Sequence, residues 1–139
     1  MNMKDFARIT LLIVLVSFVN SISTLVEDSN TRIQRIRITV KPNEIFTIKL
    51  KNNASMGAFW EILDSPASSV IRFISKEPEK LSIEEEMRLR TMKGLGRNYV
   101  YTFKAGNKPN HIATITLGYK PIWMSHLTEK IVYTITILE

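Results

Sequence analysis

The amino-acid sequence predicts an all-β fold, an antiparallel sandwich of about seven strands. Apolar and polar residues alternate with a period of two in several segments, which is the pattern of a strand that buries one face. Turn-forming segments rich in Asn, Gly, Ser and Pro separate these runs. Short strands divided in this way fit an antiparallel sandwich better than a helical or a parallel α/β fold.

The first four strands follow from this alternation and its interruptions. Asn52 and Asn53 signal a turn after the second strand. The third strand is predicted at residues 58–63 and the fourth at residues 70–74, where bulky apolar residues resume after a break. The residues that face the core in the first two strands are predicted to be Ile36, Ile38, Val40, Phe46, Ile48 and Leu50.

A charged stretch at residues 76–97 is long for a connection inside a compact domain. Ser82 and Glu85 have the spacing of a capping box, in which the serine side chain accepts a hydrogen bond from the start of a helix. The sequence therefore predicts a short helix at residues 86–90, which Gly94 must end at the latest.

Three further strands complete the predicted sandwich, and each has an aromatic or aliphatic face. Their predicted core residues are Tyr99, Tyr101 and Phe103 in the fifth strand, Ala113, Ile115, Leu117 and Tyr119 in the sixth, and Ile131, Tyr133, Ile135 and Ile137 in the seventh.

The N-terminal segment has the pattern of a secretory signal peptide. Two basic residues precede an apolar run at residues 9–19, and small and polar residues follow. The run is too short to cross a membrane, which takes roughly 20 apolar residues. We expect cleavage after Ser23, with Ser21 as a close competitor. Residues 24–139 then form one domain without a membrane span, a monomer by default, that is secreted or kept in a lysosome-like vesicle lumen.

Composition excludes several classes of function. The predicted mature chain has 17 basic and 12 acidic residues, since Lys4, Arg8 and Asp5 are removed from totals of 19 and 13. The basic residues form no run with interleaved aromatics, so nucleic acid is not an expected partner. The sequence has no cysteine, which excludes disulfides and thiolate chemistry. His111 and His126 have no second ligand at metal spacing, so we expect no metal. The sequence has no nucleophile elbow, phosphate loop or paired-carboxylate signature, so we expect no cofactor and no enzymatic activity.

Three turn segments carry unusual chemistry between the strands. They are Asn53, Ala54, Ser55, Met56, Gly57, Ala58, Phe59 and Trp60; then Gly94, Leu95, Gly96 and Arg97; then Tyr119, Lys120, Pro121, Ile122 and Trp123. Each has an ordinary interpretation as well: a hairpin turn before a core tryptophan, a flexible loop end, and a Trp123 that either folds back into the core or makes a contact.

The order and spacing of these segments resemble the chagasin-type inhibitors of papain-like cysteine proteases. That family has three signatures, approximately N-P-T-T-G-x-x-W, G-x-G-G and R-P-W. In the first, Asn53, Gly57 and Trp60 match and Ser55 replaces a threonine, whereas Ala54 replaces proline and Met56 replaces threonine. The resemblance implies an immunoglobulin-like sandwich topology.

The other two signatures are matched with substitutions. Arg97 replaces the last glycine of the second, Lys120 replaces the arginine of the third, and Ile122 intervenes between Pro121 and Trp123. A shift of one residue can be absorbed by a loop, whereas in a strand it would reverse the face.

The resemblance implies a reversible, tight-binding inhibitor that occludes the protease groove with three loops. The contact residues that it implies are Asn53, Ala54, Ser55, Met56, Gly57, Gly94, Leu95, Gly96, Arg97, Lys120, Pro121, Ile122 and Trp123. It implies that Trp60 is a buried framework residue. Without proline at Ala54 the loop loses more entropy on binding, while Met56 can fill an irregular apolar subsite.

Asn53 also begins an N-x-[ST] glycosylation sequon, Asn53-Ala54-Ser55. A glycan at this position would sit on the loop that enters the groove, so glycosylation and inhibition oppose each other. The alternative function is a secreted immunoglobulin-like binding or adhesion module that uses its basic face. That alternative predicts dependence on the Lys and Arg residues of positions 76–93 instead of on Gly57 and Trp123.

Overall fold

The computed structural model describes residues 30–92 and 94–139, and the predicted signal peptide lies outside these residues. The described part contains seven strands and one α-helix. The strands are β1 (Arg32–Val40), β2 (Ile45–Asn52), β3 (Ala58–Asp64), β4 (Ile71–Pro78), β5 (Arg97–Ala105), β6 (His111–Pro121) and β7 (Glu129–Ile137), and the helix is α1 (Ile83–Thr91).

The strands form two sheets, with the order β1-β7-β6-β3 in the first and β2-β5-β4 in the second. This arrangement confirms the predicted all-β sandwich. One pairing differs from the antiparallel prediction, because β1 pairs with β7 in parallel. Almost the whole chain separates these two strands, so no short hairpin imposes the antiparallel direction on them.

The core lies between the sheets and contains the predicted inward faces. Phe46 of β2 stacks on Phe103 of β5 with ring centroids 5.6 Å apart. From the first sheet, Leu117 of β6 and Ile135 of β7 are fully buried. The period of two therefore predicts the buried faces of β2, β5 and β7 correctly, whereas in β6 the intervening Thr116 and Gly118 are buried as well.

Two elements of the charged connection differ from their predicted bounds. β4 runs from Ile71 to Pro78 and is longer than predicted, with a bulge between Phe73 and Ser75 that interrupts the alternation. α1 begins at Ile83, where the Ser82 side chain accepts a hydrogen bond from the backbone N–H of Glu85 at 3.2 Å. The predicted cap at Ser82 is thus present. The helix begins at the next residue and runs to Thr91, so it is longer than the predicted residues 86–90.

Two buried tyrosines give the core a defined response to alkaline pH. Burial raises the pKa of Tyr101 and that of Tyr133 to about 12, from an ordinary value of 10.0. The unfolded chain therefore loses these protons first, and stability falls as the pH rises from about 10 to about 12. We expect about 1 kcal/mol less stability per tyrosine at a pH of about 11 than at a pH of about 8. Urea unfolding of the wild type and of Tyr133→Phe checks this, because the variant should lose about half of that decline.

Candidate binding surface formed by three loops

The first loop, residues 53–57, is a tight hairpin that carries the chain from one sheet to the other. Asn53 and Ala58 exchange two backbone hydrogen bonds of 2.8 and 3.0 Å across its base. Between them lies a 3-10 turn, Ala54–Met56, which Gly57 closes in the left-handed conformation at φ 63°. Glycine adopts this conformation without steric cost. The loop is therefore held by its own backbone, without the proline that the family signature has.

The Asn53 side chain joins the first loop to the second loop, residues 94–97. Its Nδ2 donates to the Gly94 carbonyl oxygen at 3.2 Å and to Met56 Sδ at 3.0 Å. Its Oδ1 accepts from the Ser55 hydroxyl at 2.8 Å. The side chain that the sequence singled out as turn-forming is thus also a bridge between two loops.

Ile122 joins the first loop to the third loop, residues 119–123. Its backbone N–H donates to the Gly57 carbonyl oxygen at 3.1 Å. Its side chain covers the Gly57 Cα so closely that an added Cβ would lie 2.8 Å from Ile122 Cγ2. The residue inserted between Pro121 and Trp123 therefore closes the third loop against the first.

The rest of the third loop presents Trp123 to solvent. Pro121 is buried at the end of β6, and its carbonyl oxygen accepts from the Met124 N–H at 3.0 Å in a turn that holds Trp123 at its tip. Lys120 Nζ donates to the Met124 carbonyl oxygen at 2.9 Å, so this ammonium braces the turn. Trp123 does not fold back into the core, since 60% of its surface is exposed.

The two glycines of the second loop have different surroundings. Gly94 has a φ of 87° and open space around it, whereas Gly96 approaches Lys51 and the Asn52 carbonyl oxygen so closely that a Cβ would not fit. Arg97 is the first residue of β5, and its Nη2 donates to Glu86 Oε1 at 2.7 Å and to the Glu79 carbonyl oxygen at 2.8 Å. Its guanidinium therefore holds α1 in place, and Leu95 is the side chain of this loop that projects into solvent.

A buried polar network supports the first loop from below. Asn52 is fully buried; its Oδ1 accepts from the Trp60 N–H at 2.7 Å and its Nδ2 donates to the Tyr101 hydroxyl at 2.9 Å. The Tyr101 hydroxyl in turn donates to the Trp60 carbonyl oxygen at 2.7 Å. Trp60 itself is buried and lies against Tyr119, with ring centroids 5.3 Å apart.

The sequence alone predicts Asn52 only as a turn signal and Tyr101 only as a core residue. A signal for the network was present, because position 52 continues the inward series of Phe46, Ile48 and Leu50. A polar residue on a buried strand face needs hydrogen-bond partners.

Each loop contributes exposed apolar side chains to the surface that they form together. Met56 is 47% exposed in the first loop, Leu95 also 47% in the second, and Ile122 77% in the third. With Trp123 they make an apolar surface at one end of the sandwich, and such surfaces on soluble proteins mark interaction sites. In the described part of the chain no group of three or more potential metal ligands occurs, and no helix is long and apolar enough to cross a membrane.

Replacing Gly57 by alanine is expected to disturb the joint between the first and third loops. The new Cβ would press against Ile122 Cγ2 at 2.8 Å at a left-handed backbone position, so we expect a loss of about 1 to 2 kcal/mol of unfolding free energy. The matched control is Gly94→Ala, which has the same left-handed strain at φ 87° but no neighbour within 4 Å. Thermal unfolding of both variants measures the difference; equal losses would mean that the Ile122 contact contributes nothing.

The fold and the loop surface together define a binding protein built on a β-sandwich. A family model described as the chagasin family of peptidase inhibitors, I42, matches residues 39–137. The chain belongs to this family. It is accordingly a peptidase inhibitor and not an enzyme, as the resemblance of the three signatures implied.

Two solved structures show the same fold at low sequence identity, and a third is a weaker match. The cysteine protease inhibitor EhICP2 from Entamoeba histolytica is 18% identical, with a TM-score of 0.53 over 79% of this chain and 99% of its own. The solution structure of Amebosin is 14% identical, with a TM-score of 0.50 over 77% and 97%. PbICP-C, solved in complex with falcipain-2, is 18% identical, with a TM-score of 0.45 over 81% and 95%. No curated protein matches the chain.

Proposed function

We propose that the chain blocks papain-like cysteine proteases by inserting the first loop into the active-site groove while the second and third loops grip its two sides. One observation supports this arrangement above the others. The three loops are bonded to each other, Asn53 to Gly94 and Gly57 to Ile122. A surface held together in this way enters a groove as one unit and loses little backbone freedom on binding.

The same geometry explains why occlusion can be reversible and tight without covalent chemistry. A rigid three-loop surface can bury a standard interface of roughly 800 Å² on each partner. The carbonyl of Asn53 is engaged with the N–H groups of Met56 and Ala58, and that of Ala54 with the N–H of Gly57. Carbonyls held inside a closed turn are poor substrates for the catalytic cysteine, because attack needs a carbonyl free to enter an oxyanion hole.

The predicted contact residues divide by their surroundings into two groups. The exposed tips Ala54, Ser55 and Met56, with Leu95, Ile122 and Trp123, are proposed to touch the protease. The remaining residues are proposed to position those tips through the contacts described above: Asn53, Gly57, Gly94, Gly96, Arg97, Lys120 and Pro121.

We further propose that residues 1–23 direct the chain into the secretory pathway and that residues 24–139 act after secretion or in a lysosome-like lumen.

The inhibitor is active with Asn53 unglycosylated, because a glycan would replace one of the two amide hydrogens that now reach Gly94 and Met56. Intact mass of protein secreted by a eukaryotic host measures occupancy at this sequon. A glycosylated fraction that inhibits as well as the bare fraction would contradict the proposal.

The proposed function is tested by titrating the protein, expressed as the full chain through a bacterial periplasm, against papain and one cathepsin-type enzyme. Cleavage of a fluorogenic peptide reports residual activity. We expect stoichiometric inhibition, retained in Arg88→Glu, which reverses an exposed charge on α1. No inhibition at micromolar concentration would favour the adhesion-type module. Inhibition that the charge reversal abolishes would place the protease contact on α1 and contradict the three-loop arrangement.

A further inference from the structure

Met56 has an unusual position for an oxidisable side chain. It ends the 3-10 turn at the tip of the first loop, where the family signature has a threonine, and 47% of its surface is exposed. Its sulfur accepts a hydrogen bond from Asn53 Nδ2, the same nitrogen that donates to the Gly94 carbonyl oxygen. The thioether therefore lies where the first and second loops are joined.

The composition makes methionine the main target of mild oxidants in this chain. The sequence has no cysteine, so no thiol competes for a peroxide. In the reaction, the sulfur lone pair attacks one oxygen of hydrogen peroxide, an S–O bond forms, the O–O bond breaks, and the second oxygen leaves as water. Sulfur is oxidised by two electrons, the peroxide is reduced by two, and the product is methionine sulfoxide.

This oxidation changes two properties of the first loop. The apolar tip becomes polar and chiral, so it must be desolvated before it can occupy an apolar subsite. The sulfoxide oxygen is also a much stronger hydrogen-bond acceptor than the thioether sulfur, which is a weak one. It draws the Asn53 amide toward itself and away from the Gly94 carbonyl, which loosens the joint between the two loops.

We propose that Met56 is a modification site, and that its conversion to the sulfoxide by peroxide switches the inhibitor to a weak-binding form from which methionine sulfoxide reductase restores it. This inference rests on the proposed three-loop function. In the reverse step two reductase thiols are oxidised to a disulfide and the sulfoxide oxygen leaves as water, so the switch is reversible.

Other methionines in the described part of the chain are equally accessible but lie outside the three loops. Met87 on α1 is 61% exposed and Met92, which follows the helix, is 50% exposed. We expect peroxide to oxidise them as well. Exposure alone therefore does not single out Met56; its place in the loop joint does, and Met87 and Met92 serve as internal controls. Met124, which follows the third loop, is only partly exposed.

The test compares inhibition constants before and after oxidation in the wild type, Met56→Leu and Met87→Leu, each expressed as the full chain. Each protein is treated with hydrogen peroxide, catalase removes the excess before papain is added, and peptide mass mapping gives sulfoxide occupancy at each methionine. We expect the inhibition constant of the wild type and of Met87→Leu to rise about tenfold or more, equivalent to about 1.4 kcal/mol, and that of Met56→Leu to stay within about twofold of its own untreated value. Reductase treatment should reverse the rise.

Two results would overturn the inference. One is a wild type with Met56 fully converted to sulfoxide whose inhibition constant has not changed. The other is an equal loss in Met56→Leu, which would move the effect to a different methionine. The untreated samples report separately on the proposed function: a wild type that inhibits neither papain nor a cathepsin before oxidation would overturn that function and this switch together.

Discussion

Asn52→Ala is expected to lower the free energy of unfolding by about 3 kcal/mol, because it leaves the buried Trp60 N–H without an acceptor and the Tyr101 hydroxyl without a donor. The fully buried amide also leaves a small cavity, which adds to the loss. The side chain lies directly before the first loop, so the substitution should loosen that loop and weaken inhibition even in the molecules that remain folded.

Urea unfolding of Asn52→Ala, Tyr101→Phe and the double variant measures this network. Tyr101→Phe removes the hydroxyl that accepts from Asn52 Nδ2, and it is expected to lower the free energy of unfolding by about 1 to 2 kcal/mol. The two losses should not add, because both variants break the shared bond between Asn52 Nδ2 and the Tyr101 hydroxyl. Additive losses would show that the two side chains act independently and that the network does not support the loop as a unit.

Trp123→Ala is expected to weaken protease binding by about 2 kcal/mol or more, approximately a thirtyfold rise in the inhibition constant, because a loop tryptophan is a typical anchor at an interface. Its indole is 60% exposed in the free protein and makes little contribution to the core. The melting temperature should therefore change little, which separates a lost contact from a lost fold.

The matched control for Trp123→Ala is Ile83→Ala. Ile83 is also a large apolar residue, 81% exposed, but it lies on α1 outside the three loops. Inhibition constants against papain should be equal for the wild type and Ile83→Ala. An equal loss of protease affinity in the two alanine variants would show that an exposed apolar residue contributes to binding wherever it lies on the protein. Trp123 would then not be an anchor.

Much of the scaffold could be predicted because alternation records burial directly. The inward faces of β2, β5, β6 and β7 were all predicted from the period of two, and the cap at Ser82 from its spacing to Glu85. The parallel pairing of β1 with β7 could not be predicted, because nothing local specifies the relative direction of two strands that no short turn connects.

The contacts between loops were not predictable, since they depend on side chains far apart in the sequence. Asn53 reaches Gly94 across 41 positions, and Arg97 turns back to α1 instead of projecting from the second loop. Ile122 is the clearest example. In the sequence it is an insertion that displaces Trp123 by one residue, whereas in three dimensions it is the residue that closes the third loop against Gly57.

Hydrogen exchange of the protein with and without papain whose catalytic cysteine is blocked shows whether the three bonded loops bind the protease together. We predict slower exchange on binding in all three loops, residues 53–57, 94–97 and 119–123, and no change at the opposite end of the sandwich in residues 41–45 and 106–110. Protection confined to α1, or to the arginine-bearing strand β1, with all three loops unchanged, would contradict the claim and favour a binding module that uses its basic face.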